Sequence, residues 1–205
     1  MATLISGSTG VDKIQDGTIT NADINASAAI AGSKLSGGSP PIIGVQQQWV
    51  RGTQTIGTSE IDVTDGSSAM VVTSTNTSAT KFLVKAMAYV GANSDVGCYF
   101  FLYRSIDGGT YTKLTNAHSS YGGGGSSSTT FMTACAGDND SWSWYTGSHI
   151  SNEYLDTPSF STSVSYKIRA KGYSGTHYLG RMANHNNSSS WSHSAPSCIT
   201  LMELA

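Results

Sequence analysis

From Ile42 onward, apolar and polar residues alternate in short runs separated by turn-forming residues, a pattern typical of β-strands. The clearest run is Lys81–Val90, in which both alternating sets contain apolar residues. One set is Phe82, Val84, Ala86, Ala88 and Val90, and the other is Leu83, Lys85, Met87 and Tyr89. A strand that is apolar on both sides suits the middle of a β-sandwich or a subunit interface. We therefore expect Lys81–Val90 to be a central strand.

The second strong prediction is a hairpin, because Asp107-Gly108-Gly109 separates an apolar run at Cys98–Arg104 from a polar-aromatic run at Thr110–Leu114. Further strands are predicted at Gln46–Val50, Ile61–Val63, Met70–Thr73, Thr129–Cys135, Val164–Lys171, His177–Arg181 and Ser197–Leu204. No useful helical period occurs in this part of the chain. The pattern predicts a mainly β domain over residues 42–205, an antiparallel β-sandwich or jelly roll.

The first 41 residues follow a different pattern, with large apolar residues only at every fifth or sixth position. These residues are Ile14, Ile19, Ile24, Ile30 and Leu35. A segment that spaces single apolar residues so widely cannot bury them against itself, whereas three copies around one axis could bury each set as a layer. We expect residues 1–41 to be a narrow stem that makes the protein a homotrimer.

A short helix is plausible within this stem. Thr20–Asp23 resembles a capping box, and Ile24, Ala28, Ala31 and Leu35 then share one helical face. The linker-like run Ser36–Pro41 ends the segment. The predicted organisation is an extended and partly helical stem at 1–41 and a head at 42–205.

Composition restricts the partners. The chain has 11 basic and 13 acidic residues, so it has no broad positive field that would attract nucleic acid. Its N-terminus lacks the basic and apolar regions of a signal peptide, and no apolar stretch approaches the roughly 20 residues that span a bilayer. We expect neither signal-peptide secretion, nor membrane insertion, nor a nucleic-acid partner.

Cysteines and histidines do not indicate a metal or redox site. Cys98, Cys135 and Cys198 lie far apart, two of them in apolar strand-like runs, and are expected to be buried, reduced thiols. The histidines at positions 177, 185 and 193 recur every eight residues, which fits no zinc pattern within one chain, and we expect solvated or hydrogen-bonded loop residues. No metal and no cofactor is predicted.

No catalytic motif of the common hydrolases, nucleotide-binding proteins or zinc proteases occurs, and we expect no enzyme. Asp138, Asp140, Glu153 and Asp156 are the clustered acids that a glycosidase would need, and we interpret them as turn acids that cap backbone amides. Asp138–Asp140 also lacks the later ligands of a calcium loop.

Aromatic residues in polar surroundings are the candidate binding residues. Trp142, Trp144 and Tyr145 lie in one such segment, and Trp191 and His193 lie in another. Rings of this kind stack on sugars while neighbouring Asn and Ser bind hydroxyl groups. The alternative is that Trp142 and Trp144, two residues apart, form one face of a buried or intersubunit strand.

Three pieces of the chain together resemble the fibre-like structural proteins of tailed bacteriophages. The first piece, Gly10–Thr20 with Ala29–Leu35, looks like the adaptor that precedes many fibre heads. The second, Tyr154–Pro158 followed by Ser165–Ile168, is similar to a strand–turn–strand unit of such heads. The third, Ser197–Ala205, resembles their closing strand. The resemblance implies a trimeric, jelly-roll-like head without catalytic residues. It also implies that residues 1–41 bind another virion protein.

On this resemblance the protein is expected in the virion, after assembly in the bacterial cytoplasm. A short fibre that attaches the particle to a host glycan is the first interpretation. A capsid decoration or head fibre without host recognition is the second. A carbohydrate-binding or depolymerising module is the third.

Overall fold

The computed structural model describes residues 42–92, 97–120, 129–135, 147–182 and 194–205. These residues form antiparallel β-strands and a 3₁₀ turn at Thr115–Ala117. In chain order the strands are β1 (Ile42–Val50), β2 (Gln54–Ile56), β3 (Ile61–Asp62), β4 (Val71–Ser74), β5 (Lys81–Ala92), β6 (Gly97–Ile106), β7 (Thr112–Lys113), β8 (Ser119–Ser120), β9 (Thr129–Thr130), β10 (Met132–Cys135), β11 (Gly147–Asp156), β12 (Val164–Gly172), β13 (His177–Leu179) and β14 (Ser197–Leu204).

The strands build two facing sheets and a small ribbon. In the first sheet, β5 pairs with β11 along one edge and with β14 and β13 along the other, and β14 and β13 then pair with β1 and β2. In the second sheet, β6 and β12 are the central pair, flanked by β10 and β7 on one side and by β4 and β3 on the other. Strands β8 and β9 form the ribbon. The predicted mainly β, antiparallel sandwich is confirmed.

Alternation along the central strands creates the core between the sheets. Phe82, Val84, Ala86, Ala88 and Val90 of β5 are all 0% exposed. They face the similarly buried residues Phe100, Leu102, Val164, Tyr166 and Ile168 of β6 and β12. Burial of such side chains stabilises by roughly 1.5–3 kcal/mol each, so this single core dominates the stability of the domain.

Most predicted strands are present, and three observed strands were not among the predicted runs. Thr129–Cys135 is interrupted at Phe131, and Thr110–Leu114 shrinks to Thr112–Lys113. The missed strands are β2 and β8, which have only three and two residues, and β11, whose core-facing positions include polar residues such as Asn152. The Nδ2 atom of Asn152 donates a 2.7 Å hydrogen bond to the Phe131 carbonyl, so a polar residue is tolerated there without breaking the strand.

The predicted hairpin turn between β6 and β7 is confirmed. Asp107 and Gly108 have φ angles of +50° and +72°, and the Gly109 amide donates to the Ile106 carbonyl at 2.8 Å. The Asp107 carboxylate also accepts hydrogen bonds from the backbone amides of residues 161–163. Those bonds lower the pKa of Asp107 to about 2 and tie the turn to the start of β12.

His118 ties the 3₁₀ turn to β6, since its Nε2 accepts a 3.1 Å hydrogen bond from the Leu102 amide and must therefore be unprotonated. Partial burial and the nearby Lys113 cation lower the pKa of His118 below 6.5. The unfolded chain then binds this proton more readily than the folded one. The stabilisation that unprotonated His118 gives the folded state is complete above pH 6.5 and is lost as the pH falls through the lowered folded-state pKa.

We predict that lowering the pH from 8 to 5 reduces the free energy of unfolding less in His118→Gln than in the wild type. The reason is that the variant has no imidazole to protonate at this position. Urea unfolding at both pH values measures this. His149→Gln, at an exposed position of β11, is the control and should keep the wild-type pH dependence. An identical pH dependence in all three proteins would contradict the assignment.

Candidate functional site

The two ends of the first sheet are connected to different parts of the chain. At one end, Ile42 pairs with Leu204 and Leu204 pairs with Lys81, so residues 1–41 connect here. We call this the entry end. Strand β1 leads away from it over about 26 Å, at roughly 3.3 Å per residue.

The predicted receptor-binding residues Trp142, Trp144, Tyr145, Trp191 and His193 lie outside the described residues. The connections that contain them, 136–146 and 183–193, join described strands on the far side of the sandwich from the entry end. The first of them joins β10 and β11, where Cys135 pairs with Gly97 and Gly147 pairs with Gly91. The second follows β13 and precedes β14. The stem residues Ile14, Ile19, Ile24, Ile30 and Leu35 also lie outside the described residues, so the stem stays a prediction.

An apolar row crosses the outer face of the first sheet. Leu155 of β11 pairs with Leu83 of β5, Leu83 pairs with Met202 of β14, and Met202 pairs with Val45 of β1. Leu155 and Val45 are 51% and 56% exposed. We call these four residues the apolar row. Ile42, at the start of β1, is also an exposed large apolar residue. Contiguous exposed apolar residues of this kind mark interaction surfaces.

A polar row follows next to the apolar row, further from the entry end. It consists of Glu153, Lys85, Thr200 and Gln47, again one residue from each of the same four strands. Gln47 is held in place, since its Nε2 donates to the Thr200 Oγ1 at 2.9 Å. The polar row therefore separates the apolar row from Met87 and Trp49, which lie further from the entry end on the same face.

The outer face of the second sheet is charged and aromatic instead. The Glu60 carboxylate accepts a hydrogen bond from Tyr103 and forms ion pairs with Lys113 and Arg169 at 3.1 and 3.2 Å. Although partial burial opposes it, hydrogen bonding from Tyr103 and Lys113 lowers the pKa of Glu60. Burial and the bond to Glu60 raise the pKa of Tyr103 to about 12.

Cations on this second face have partners nearby. The Lys113 ammonium lies 3.8 Å from the Phe101 ring centroid, and Lys167 forms an ion pair with Asp62 at 3.0 Å. Partly exposed pairs of this kind contribute about 0–1 kcal/mol each. Since the charges are matched within the chain, this face is suited to contact with solvent.

The acid cluster is not arranged for catalysis in the described residues, and the interpretation of its members as turn acids is wrong for two of them. Glu153 is exposed in the middle of β11, and Asp156 is 6% exposed at the end of that strand. Side chains at positions 153 and 156 belong to opposite faces of the strand, so their carboxylates cannot converge on one bond. Asp138 and Asp140 lie outside the described residues.

Asp156 closes a buried polar network at the entry end. Arg104 Nη1 donates to its two carboxylate oxygens at 2.9 and 2.8 Å, and the Tyr166 hydroxyl donates to Oδ2 at 2.8 Å. Burial and the charge of Asp156 raise the pKa of Tyr166 far above its ordinary value. Only the 3.0 Å bond from the Thr157 amide is of the predicted capping kind. The network joins the two sheets.

Cys98 and Cys198 are free thiols and both are buried, as predicted, and burial raises the pKa of Cys98 to about 12. The side chain of Cys135 lies outside the described part. His177 was expected to be a solvated or hydrogen-bonded loop residue. The loop position and the solvation are wrong, because His177 is 0% exposed in β13, within the strand predicted at His177–Arg181. Among the described residues, no group of three His, Cys, Asp or Glu side chains could hold a metal ion, and no helix is long and apolar enough to cross a membrane.

We predict that Asp156→Ala lowers the free energy of unfolding by about 2–4 kcal/mol, because Arg104 and the Tyr166 hydroxyl lose their common partner in a poorly solvated site. Glu153→Ala, three residues earlier on the same strand, is the matched control. It should cost less than about 1 kcal/mol. Urea unfolding followed by fluorescence measures both, and equal losses would contradict the structural role of Asp156.

Comparisons with known proteins do not assign a family. No protein-family model matches the chain, and no curated protein matches it. A similar solved structure is that of Eiger TNF from S. frugiperda, with 12% sequence identity and a TM-score of 0.35. The match covers 62% of this chain and 60% of that chain, so the chain spans less than two thirds of that structure.

Proposed function

We propose that the protein is a homotrimeric structural protein of a tailed-phage virion, a short fibre that acts without catalysis. Residues 1–41 dock on another virion protein and align three chains. Residues 42–205 form a jelly-roll-like head that contacts a host cell-surface glycan. Function in this proposal consists of assembly and adhesion.

The observation that carries the proposal is the position of the apolar row. Leu155, Leu83, Met202 and Val45 form a continuous apolar strip on one sheet face, close to the entry end where residues 1–41 join the head. Burial of this strip between subunits contributes roughly 25 cal/mol for each Å² of apolar surface removed from water. The strip therefore supports an oligomer whose heads meet next to the stem.

Chain connectivity supports the same interface. Residues 36–41 separate Leu35 from Ile42 by seven backbone steps, which span at most about 25 Å even when fully extended. If residues 14–35 of three chains share one axis, each β1 strand must begin within that distance of the axis. Val45 and the rest of the apolar row are then the part of the head best placed to meet the neighbouring subunits.

The two ends of the head support attachment at one and recognition at the other. Residues 1–41 join at Ile42, whereas the connections with the candidate aromatic residues join strands on the far side. A fibre needs this separation, because the docking end is occupied by the virion. Three heads on one axis also raise the effective concentration of weak receptor contacts.

We predict that light scattering shows the full-length chain to be a trimer at micromolar concentration. The double substitution Val45→Glu with Leu155→Glu should raise the concentration at which the trimer dissociates by at least about tenfold, because it places charges in the subunit interface. The control is Thr73→Glu, on an exposed residue of β4 in the second sheet, which should leave the trimer unchanged.

A stable monomer at micromolar concentration would refute the trimer. An unchanged trimer in the double variant would place the contacts outside the apolar row. Imaging of intact particles with a label on Ala205 tests the virion position: label at the tail supports host attachment, and label over the capsid favours a decoration protein.

A further inference from the structure

A groove lies beside the far end of β1. Trp49, Arg51 and the segment Ser194–Pro196 line a volume of about 370 Å³. Small-molecule sites occupy about 300–1,000 Å³, so this groove is large enough for a small ligand or for one or two residues of a polymer. Trp49 lies seven residues beyond Ile42, roughly 23 Å from the entry end.

The two walls of the groove are fixed to each other by close backbone packing. Gly180 has a φ of +73°, and a Cβ atom at this position would lie 2.6 Å from the Gly52 carbonyl oxygen. The Ala195 amide donates to the Gly180 carbonyl at 3.2 Å, and Ser194 forms a β-bridge with Arg181. Gly52 directly follows Arg51, so Gly180 joins both walls. The groove is therefore preorganised by the fold.

Trp49 provides a ring that is held in one orientation. The indole is half-buried, and its Nε1 donates a 2.8 Å hydrogen bond to Gln47 Oε1, while Gln47 itself donates to Thr200. Its ring plane cannot rotate freely without breaking this chain of bonds. A fixed, half-exposed indole is a suitable surface for the apolar face of a sugar ring.

Arg51 adds an available positive charge next to this ring. Its guanidinium carbon lies 6.0 Å from the centre of the Trp49 ring. The residue is exposed and forms no ion pair with any described carboxylate, in contrast to Arg104 and Arg169. A guanidinium matches the planar geometry of a carboxylate and can bind it through two parallel hydrogen bonds.

From this combination we infer that the groove binds an acidic saccharide, with a sugar ring stacked on Trp49 and its carboxylate on Arg51. The inference deepens the proposed function, on which it rests, by naming the class of host glycan and a described site for it. The sequence does not single out Trp49, because this residue sits within an ordinary strand pattern. Its position beside residues 194–196 comes only from the pairing of β1 with β14.

The test is titration of the full-length protein with trigalacturonate and with uncharged galactotriose, followed by calorimetry. We expect trigalacturonate to bind at least about tenfold more tightly than galactotriose. Arg51→Gln should remove this preference, and Trp49→Ala should weaken binding of trigalacturonate at least about tenfold. Lys171→Gln, which removes a positive charge from the second sheet, is the charge-matched control and should bind as the wild type does.

The inference would be overturned if trigalacturonate at about 10 mM gave no detectable binding. It would also be overturned if the wild type bound the two sugars equally, or if neither groove substitution changed the binding. Trp49→Phe, which keeps an aromatic ring, should retain part of the affinity and excludes misfolding as the cause of a loss. Light scattering on the same samples separates the groove proposal from the trimeric-fibre proposal. A monomer that binds trigalacturonate through Arg51 would support the saccharide site in the groove and refute the trimeric fibre.

Discussion

Strand β5 is the constraint on which the rest of the structure depends. Its inner side chains are completely buried in the core, and its backbone pairs with β11 on one edge and with β14 and β13 on the other. A shift of one residue would turn Lys85 inward and Phe82 outward. The register of this strand therefore determines the core and the outer surface together, including the position of Leu83 in the apolar row.

The two outer faces of the sandwich have opposite character, and this difference decides which of them can associate. On the second sheet, Glu60 and Asp62 form ion pairs with the three neighbouring cations, so burial of this face would remove charged groups from water at a cost. On the first sheet, the apolar row has no charge to desolvate, and Lys85 and Glu153 lie in the row beside it. The proposed interface therefore lies on the first sheet.

Much of the fold could be predicted from alternation alone, because a strand buried on one face shows a period of two. Strand β11 escaped prediction because its core-facing side carries the exposed Asn152 and the buried Asp156, whose hydrogen-bond partners, Phe131 and Arg104, come from distant parts of the chain. Such partners are invisible in a local pattern. The apolar row also could not be predicted, since Val45 and Leu155 become neighbours only through the strand order, and the groove depends on the same long-range pairing. The trimeric stem stays a prediction from its spacing.

The pairing of Ile42–Val50 with Ser197–Leu204 has a consequence for biosynthesis. These strands are separated by about 150 residues, and β14 lies between β1 and β5. Strand β1 cannot join its sheet until the ribosome has released β14, and contacts of such long range form slowly. During translation, Val45 and Trp49 therefore stay outside a finished sheet until β14 has been made.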